Sequence, residues 1–317
     1  MRKQFYIPQK RYSMQRTAIL LLLCLLITKA YAMKSESIDQ LCQRSSAECL
    51  EQVDFELKSV QKKSRLWLRL MQFKLTSLFN LQHSDELYKE TKRLINDENL
   101  PTPFQVTLYM YYAKSLLGRG DLKEGKRYIY KAKAQLAIMN RAYPSPIKLI
   151  EIANLQMFIG ELPEAYASLN ALRDKYQHSH NPHFMMELYG HLGHVAKKLG
   201  YDDEALEHWN TAVPWSYKYG NEQQIAVVHF NLAQVQQEAQ QYSLAEKNYA
   251  SAIKYAEIAI DVVRAAHAQL YLAEVKLIMG KKEQAEDLLL VIDEKLLVSS
   301  YLLKLNGLKT NCKCFSR

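Results

Sequence analysis

The chain has 317 residues, 48% of them hydrophobic, with only 10 glycines and 8 prolines, which excludes a turn-rich β fold and favours long helices. Its formal net charge of +9 is misleading: residues 1–32 hold six cations (Arg2, Lys3, Lys10, Arg11, Arg16, Lys29) and no acid, so the remainder stands at +3. Nucleic-acid binding thereby loses its main support, and the short basic clusters at Lys62-Lys63-Arg65, Lys123–Arg127 and Lys131-Lys133 read as solvated helix faces.

Residues 1–32 have the parts of a secretory signal peptide: a basic stretch to Arg16, an apolar run from Thr17 to Ile27, and Ala30-Tyr31-Ala32. The apolar run, about eleven residues, falls well short of the roughly 20 that span a membrane, which disfavours an uncleaved anchor. Leu23 ahead of Cys24 disfavours a lipoprotein, and Met14 would begin a shorter but complete signal. Cleavage after Ala32 is expected, with a periplasmic or secreted product and no membrane span in the mature chain.

Residues 33–65 are expected to form an N-terminal helical cap. It contains Cys42 and Cys49, which on one uninterrupted helix would stand about 10.5 Å apart, too far for a disulfide. A bridge requires the chain to turn at Ser45-Ser46, where Ser45-Ser46-Ala47-Glu48 can serve as a capping box. Two readings stay open here, a Cys42–Cys49 disulfide formed in an oxidising compartment and two free thiols.

Residues 66–293 form the repeat array. Leu66, Leu70, Phe73 and Leu78 mark a first helix, and Leu87, Thr91 and Leu94 a second, with a turn off the later register. Beyond Pro101 and Pro103 the pattern becomes regular: Gly120, Gly160, Gly200, Gln240 and Gly280 stand 40 residues apart. Five residues after each comes a small residue (Gly125, Ala165, Ala205, Ala245, Ala285), and seven before each another (Ala113, Ala153, Gly193, Ala233, Ala273). Small side chains at both points let two antiparallel helices approach closely, so each period is a helix-turn-helix hairpin of an all-α solenoid.

These residues resemble the tetratricopeptide repeat family. The copy from Met186 to Ala212 carries Tyr189, Leu192-Gly193, Gly200, Ala205, Trp209 and Ala212; that from Ala226 to Ala252 carries Leu232-Ala233, Tyr242, Ala245, Tyr249 and Ala252. The chain departs from the family in three ways: Leu172 and Ile292 replace the last small residue, Gln240 replaces the turn glycine, and the period exceeds the family's usual length of about 34. The resemblance implies a right-handed superhelix of five or six hairpins. Residues 294–317 are expected to be a leucine-rich helix from Glu294 to Leu305 followed by a polar tail, or the place where a longer relative would continue.

No phosphate loop, zincin helix or nucleophile elbow occurs in the sequence. His178, His180 and His183 cluster in a polar loop without supporting Cys, Asp or Glu at ligand spacing, as the Cys312-x-Cys314 pair also does, so neither a metal nor any cofactor is expected. The resemblance instead implies that the first helix of each hairpin lines a concave surface that holds peptides or partner segments. The positions this assigns are Tyr111 and Lys114, then Glu151 and Asn154, then His191, His194 and Lys197, then Asn231 and Gln234, and finally Tyr271 and Glu274. An amide-rich wall with charges of both signs suits an extended polypeptide, and a contact through His194 would make affinity vary between about pH 5 and 8. The expected function is an exported, non-catalytic scaffold for a protein or peptide. The alternative is the sensory region of a membrane signalling protein, such as a diguanylate cyclase or histidine kinase, with an associated inner-membrane module.

Overall fold

A computed structural model describes residues 37–312, which are helical throughout apart from turns and one 3-10 segment. The signal-peptide expectation for residues 1–32, Cys24 and Cys314 lie outside the described residues. Ser37 to Gln40 form a local cap, with the Ser37 N–H donating to Gln40 Oε1 at 3.1 Å. From Leu41 onward the described chain forms one unit.

The helices start and stop on local signals. Ser45, Ser64, Asp121, Asn181, Asn221 and Asp261 each accept from a backbone N–H three residues on, satisfying a donor that has no partner inside its helix. Gly160, Gly200 and Gly220 close their helices in the left-handed conformation, at φ 87°, 80° and 72°. Gln240 adopts the same conformation at φ 59°, and Ile260, one period after Gly220, does so at φ 56°. For a β-branched residue that backbone is strained.

Helices α1 (Ile38–Arg44) and α2 (Ser46–Glu56) precede six hairpins. These are α3 (Arg65–Asn80) with α4 (Ser84–Leu94), α5 (Thr102–Gly118) with α6 (Leu122–Ala142), and α7 (Pro146–Ile159) with α8 (Leu162–Lys175). The series continues with α9 (Pro182–Leu199) and α10 (Asp202–Tyr219), α11 (Glu222–Glu238) and α12 (Tyr242–Ile258), and α13 (Val262–Ile278) and α14 (Lys282–Val291). Each apolar cluster joins one hairpin to the first helix of the next. Ile150 and Ala153 of α7, Leu169 and Leu172 of α8 and Leu188 and Leu192 of α9 form one, and Trp209 and Ala212 of α10 with Val228 and Leu232 of α11 another. The core is therefore continuous, as stacking of units that cannot bury their own faces requires. Small residues set the spacing at the helix crossings: a Cβ on Gly193 would stand 2.7 Å from Trp209 Nε1, and one on Gly125 2.6 Å from Leu117 Cδ2.

At the N-terminal cap the structure takes one of the two open readings, and at the C-terminus it differs from the sequence-based expectation. At the N-terminus the chain does turn at Ser45, and Cys42 and Cys49 are joined by a disulfide across that turn. The capping box is only half formed, since Ser45 Oγ accepts from Glu48 N at 3.3 Å while the Glu48 carboxylate pairs with Arg44. At the C-terminus there is no continuous helix from Glu294. A 3-10 turn at Glu294–Leu296, in which Asp293 Oδ1 accepts from Lys295 N at 3.0 Å, is followed by α15 (Ser299–Cys312). This helix extends through the stretch expected to be a polar tail because Leu305, Leu308 and Cys312, on one face, pack on α13 and α14. It lies one 40-residue period after α13, in the place of the first helix of a further hairpin.

Candidate partner-binding chamber

The first helices of successive hairpins converge on a chamber of about 340 Å³. Its wall takes Phe79 from α3, Lys114 from α5, Asn154 and Phe158 from α7, Met186, Glu187, His191 and His194 from α9, Trp209 from α10, and Gln224, Val227 and Asn231 from α11. That volume is at the small end of the range for ligand sites, roughly 300–1,000 Å³. A larger hollow of about 1080 Å³ lies between the starts of α3 and α5, among Arg65, Arg69, Pro101 and Pro103.

Lys114 is the central charge. Its Nζ lies over the rings of Phe79 (4.5 Å), Phe158 (5.0 Å) and Tyr111 (5.6 Å), and has no hydrogen-bond acceptor or ion-pair partner among the described residues. Desolvation pulls its pKa down to about 8, against the pull of the Glu151 and Glu187 charges, so at neutral pH the ammonium is retained, held by aromatic faces. Burial raises the Glu151 carboxyl above its ordinary value, with Lys114 opposing and Glu187 adding to the rise. Burial also works to raise Glu187, but a hydrogen bond from His191 and the charges of His191, His183 and Lys114 outweigh it and hold this carboxyl low. His191 Nε2 stands 3.4 Å from Glu187 Oε2.

The positions expected from the sequence separate into three groups. Lys114, Asn154, His191, His194 and Asn231 line the chamber, and the amides of Asn154 and Asn231 have no hydrogen-bond partner among the described residues. Gln234, Tyr271 and Glu274 line a second hollow of about 380 Å³ together with Gln237, Tyr249 and Lys304. The remaining three are supports: Tyr111 bonds Thr76 Oγ1 at 2.9 Å behind Lys114, Glu151 supplies field at Lys114, and Lys197 pairs with Glu238 at 2.7 Å, bridging α9 and α11. Desolvation, then the charges of Lys198, His191 and Lys197, lower the pKa of His194, which lines the chamber, to about 4, below the pH 5 to 8 range expected for a ligand contact through it.

Several wall residues were passed over. Glu187 and Val227 lie one helical turn before the expected row, and Phe158 one turn after the row containing Asn154, so continuing the same face by one turn in each direction would have found them. Phe79 belongs to the hairpin that is out of register, and Trp209 reaches in from a second helix over Gly190 and Gly193. The repeat marks Trp209 only as a core position, and no periodicity points to Phe79.

No protein-family model and no curated protein matches the sequence. Solved structures do. Aspartyl phosphate phosphatase F from Bacillus subtilis superposes with a TM-score of 0.58 at 13% identity, over 90% of this chain and 82% of that one. A Rap protein complexed with competence and sporulation factor gives 0.57 at 12% identity, over 86% and 84%. A signal-transduction ATPase from Pyrococcus horikoshii with a tetratricopeptide repeat sensor gives 0.52 at 15%, over 84% of this chain and 44% of that one. At such identities the likeness speaks for architecture alone, and that architecture is a tetratricopeptide-like solenoid of helical hairpins.

Proposed function

We propose that this chain is an exported, non-catalytic scaffold whose chamber holds a short extended stretch of a protein or peptide partner. The observation that carries this is a set of polar groups on one apolar wall: the Lys114 ammonium and the Asn154 and Asn231 amides line the chamber with no hydrogen-bond or ion-pair partner among the described residues. Extended backbone offers acceptors and donors at regular intervals for the two amides, and Lys114 suits a carbonyl or carboxylate. Phe79, Phe158, Met186 and Val227 supply apolar contact between these groups. The Rap protein seen with competence and sporulation factor shows that a fold of this kind can hold a partner. Export rests on the composition of residues 1–32.

The test is capture of partners from envelope extract by the wild type and by Lys114→Met, a substitution that keeps an unbranched apolar side chain among the three rings. The wild type should retain specific polypeptides that the variant loses. Equal recovery, or none with the wild type, overturns the reading. A second reading, in which the same chamber is the sensory region of a membrane signalling protein, is favoured by likeness to the ATPase that carries a tetratricopeptide repeat sensor. A membrane helix and an output module encoded directly downstream would decide for it.

A further inference from the structure

In a simple solenoid each hairpin touches only its neighbours. This chain breaks that rule at one buried seam. Ser46 Oγ donates to Gln223 Oε1 at 2.8 Å, across 177 residues, and accepts from Asn80 Nδ2 at 3.1 Å. Gln223 Nε2 in turn donates to Asp261 Oδ2 at 3.0 Å, and Asp261 accepts from the backbone N–H and Nε of Arg264. Ser46, Gln223 and Asp261 are 2%, 4% and 1% exposed, so the chain of bonds is desolvated and its loss would leave buried polar groups unpaired. It ties the start of α2 and the end of α3 to the starts of α11 and α13. A second observation gives the same closure: Leu78, Asn80 and Lys114 line one cavity of about 350 Å³ with Arg264 and Val298. The superhelix thus turns back on itself, and its first and last hairpins meet beside the chamber.

The residue that makes this tie is placed by a covalent link. Ser45 and Ser46 sit inside the loop closed by the Cys42–Cys49 disulfide, and Ser45 and Cys49 are fully buried. We propose that this bridged turn is a redox-operated latch, which holds the superhelix closed around the chamber when oxidised and releases the seam when reduced. The reaction is a two-electron exchange with a dithiol: one thiolate attacks the bridge to form a mixed disulfide and expels one cysteine as thiolate. The second thiolate then displaces the other cysteine, leaving two protein thiols and the dithiol as a disulfide. Freed of the bridge, the turn at Ser45 no longer holds Ser46 against Gln223, and the seam opens from the N-terminal side. This inference does not depend on the identity of any ligand, nor on the chamber binding one.

Hydrogen exchange measured by mass spectrometry, on the protein without ligand, tests it. Reduction with dithiothreitol should raise exchange at least tenfold in residues 222–226 and 262–266, far from the bridge in sequence, while α7 and α8 stay unchanged. Cys42→Ser/Cys49→Ser should show the same pattern and no further response to dithiothreitol at those segments, which separates this bridge from the other cysteines. Gln223→Ala, with the bridge intact, should open the same segments and so keeps the test available if the serine variant does not fold. Faster exchange confined to residues 41–50, or a uniform increase over all helices, would overturn the latch.

Discussion

The two hollows on the inner face are built from the same rows of the repeat, yet they differ in what their polar groups do. In the chamber, Lys114, Asn154 and Asn231 have no hydrogen-bond or ion-pair partner among the described residues. In the second hollow the equivalent groups are consumed: Gln237 Nε2 donates to Glu274 at 2.8 Å, Tyr249 donates to Gln237 Oε1 at 2.8 Å, and Lys304 pairs with Glu274. The Gln237 bonds are made among α11, α12 and α13, and α15 adds to them by seating Lys304 over the Tyr271 ring at 4.4 Å and Tyr301 against His267 at 4.2 Å. A lattice position therefore assigns a residue to the inner wall, and the neighbouring helix decides whether that residue is available to a ligand.

The contrast can be broken most severely at the helix crossing behind the chamber. Gly193→Ala places a Cβ 2.7 Å from the Trp209 ring, and a rigid indole between two helices has little room to yield. Overpacking of this kind should cost about 1–3 kcal/mol, read as a lower Tm or denaturant midpoint, with Trp209 emission altered. Gly307→Ala on α15, where a Cβ meets nothing within 4 Å, should instead stabilise by up to about 1 kcal/mol.

Next in size is ligand affinity. Asn154→Ala/Asn231→Ala should weaken binding of a captured partner tenfold or more, since each lost contact is worth about 1 kcal/mol. Gln237→Ala/Glu274→Ala in the second hollow should leave affinity unchanged while lowering stability. Titration calorimetry on both variants, after matching their circular dichroism, reads the difference. An equal loss from both would erase the distinction between the hollows.

A comparable effect on stability comes from acid. His267 is 4% exposed, and burial, then Arg264, lower its pKa to about 4, with Asp261 opposing. Between its ordinary value near 6.5 and about 4 the unfolded chain binds a proton that the folded chain does not. Its stability contribution is therefore complete above pH 6.5 and drains as pH falls toward 4, by about 1.4 kcal/mol per pH unit at most. His208 and His229, also buried and lowered chiefly by desolvation, act in the same direction. Thermal melts between pH 7.5 and 5 should show Tm falling, and His267→Phe should flatten part of that slope.

The smallest effect is a gain. Ile260→Gly relieves a left-handed backbone at the position where the preceding repeat has Gly220, and should stabilise by up to about 1 kcal/mol. An unchanged or lower denaturant midpoint would show that the exposed isoleucine is held by something other than its backbone.

Periodicity by itself determined the hairpins, and the family resemblance implied which side of each first helix faces inward. Small residues at Ala113, Ala153, Gly193, Ala233 and Ala273 and turns at Gly120 to Gly280 leave few other ways to pack, because helix spacing and chain reversal are local requirements written into local residues. Lys114, Asn154 and Asn231 were named through the resemblance, on the register that those local residues set. Tertiary structure alone decided the rest. The bonds from Ser46 to Gln223 and from Gln223 to Asp261 depend on how a small rotation per hairpin accumulates over the whole array, a quantity to which no single repeat is committed. Phe79 enters the chamber because the out-of-register first hairpin packs on α5, where its ring meets Tyr111 and Lys114, and Trp209 because Gly190 and Gly193 leave space for its ring. The place of Lys304 in the second hollow likewise follows from a helix whose apolar face, Leu305, Leu308 and Cys312, acquires its meaning only against α13 and α14.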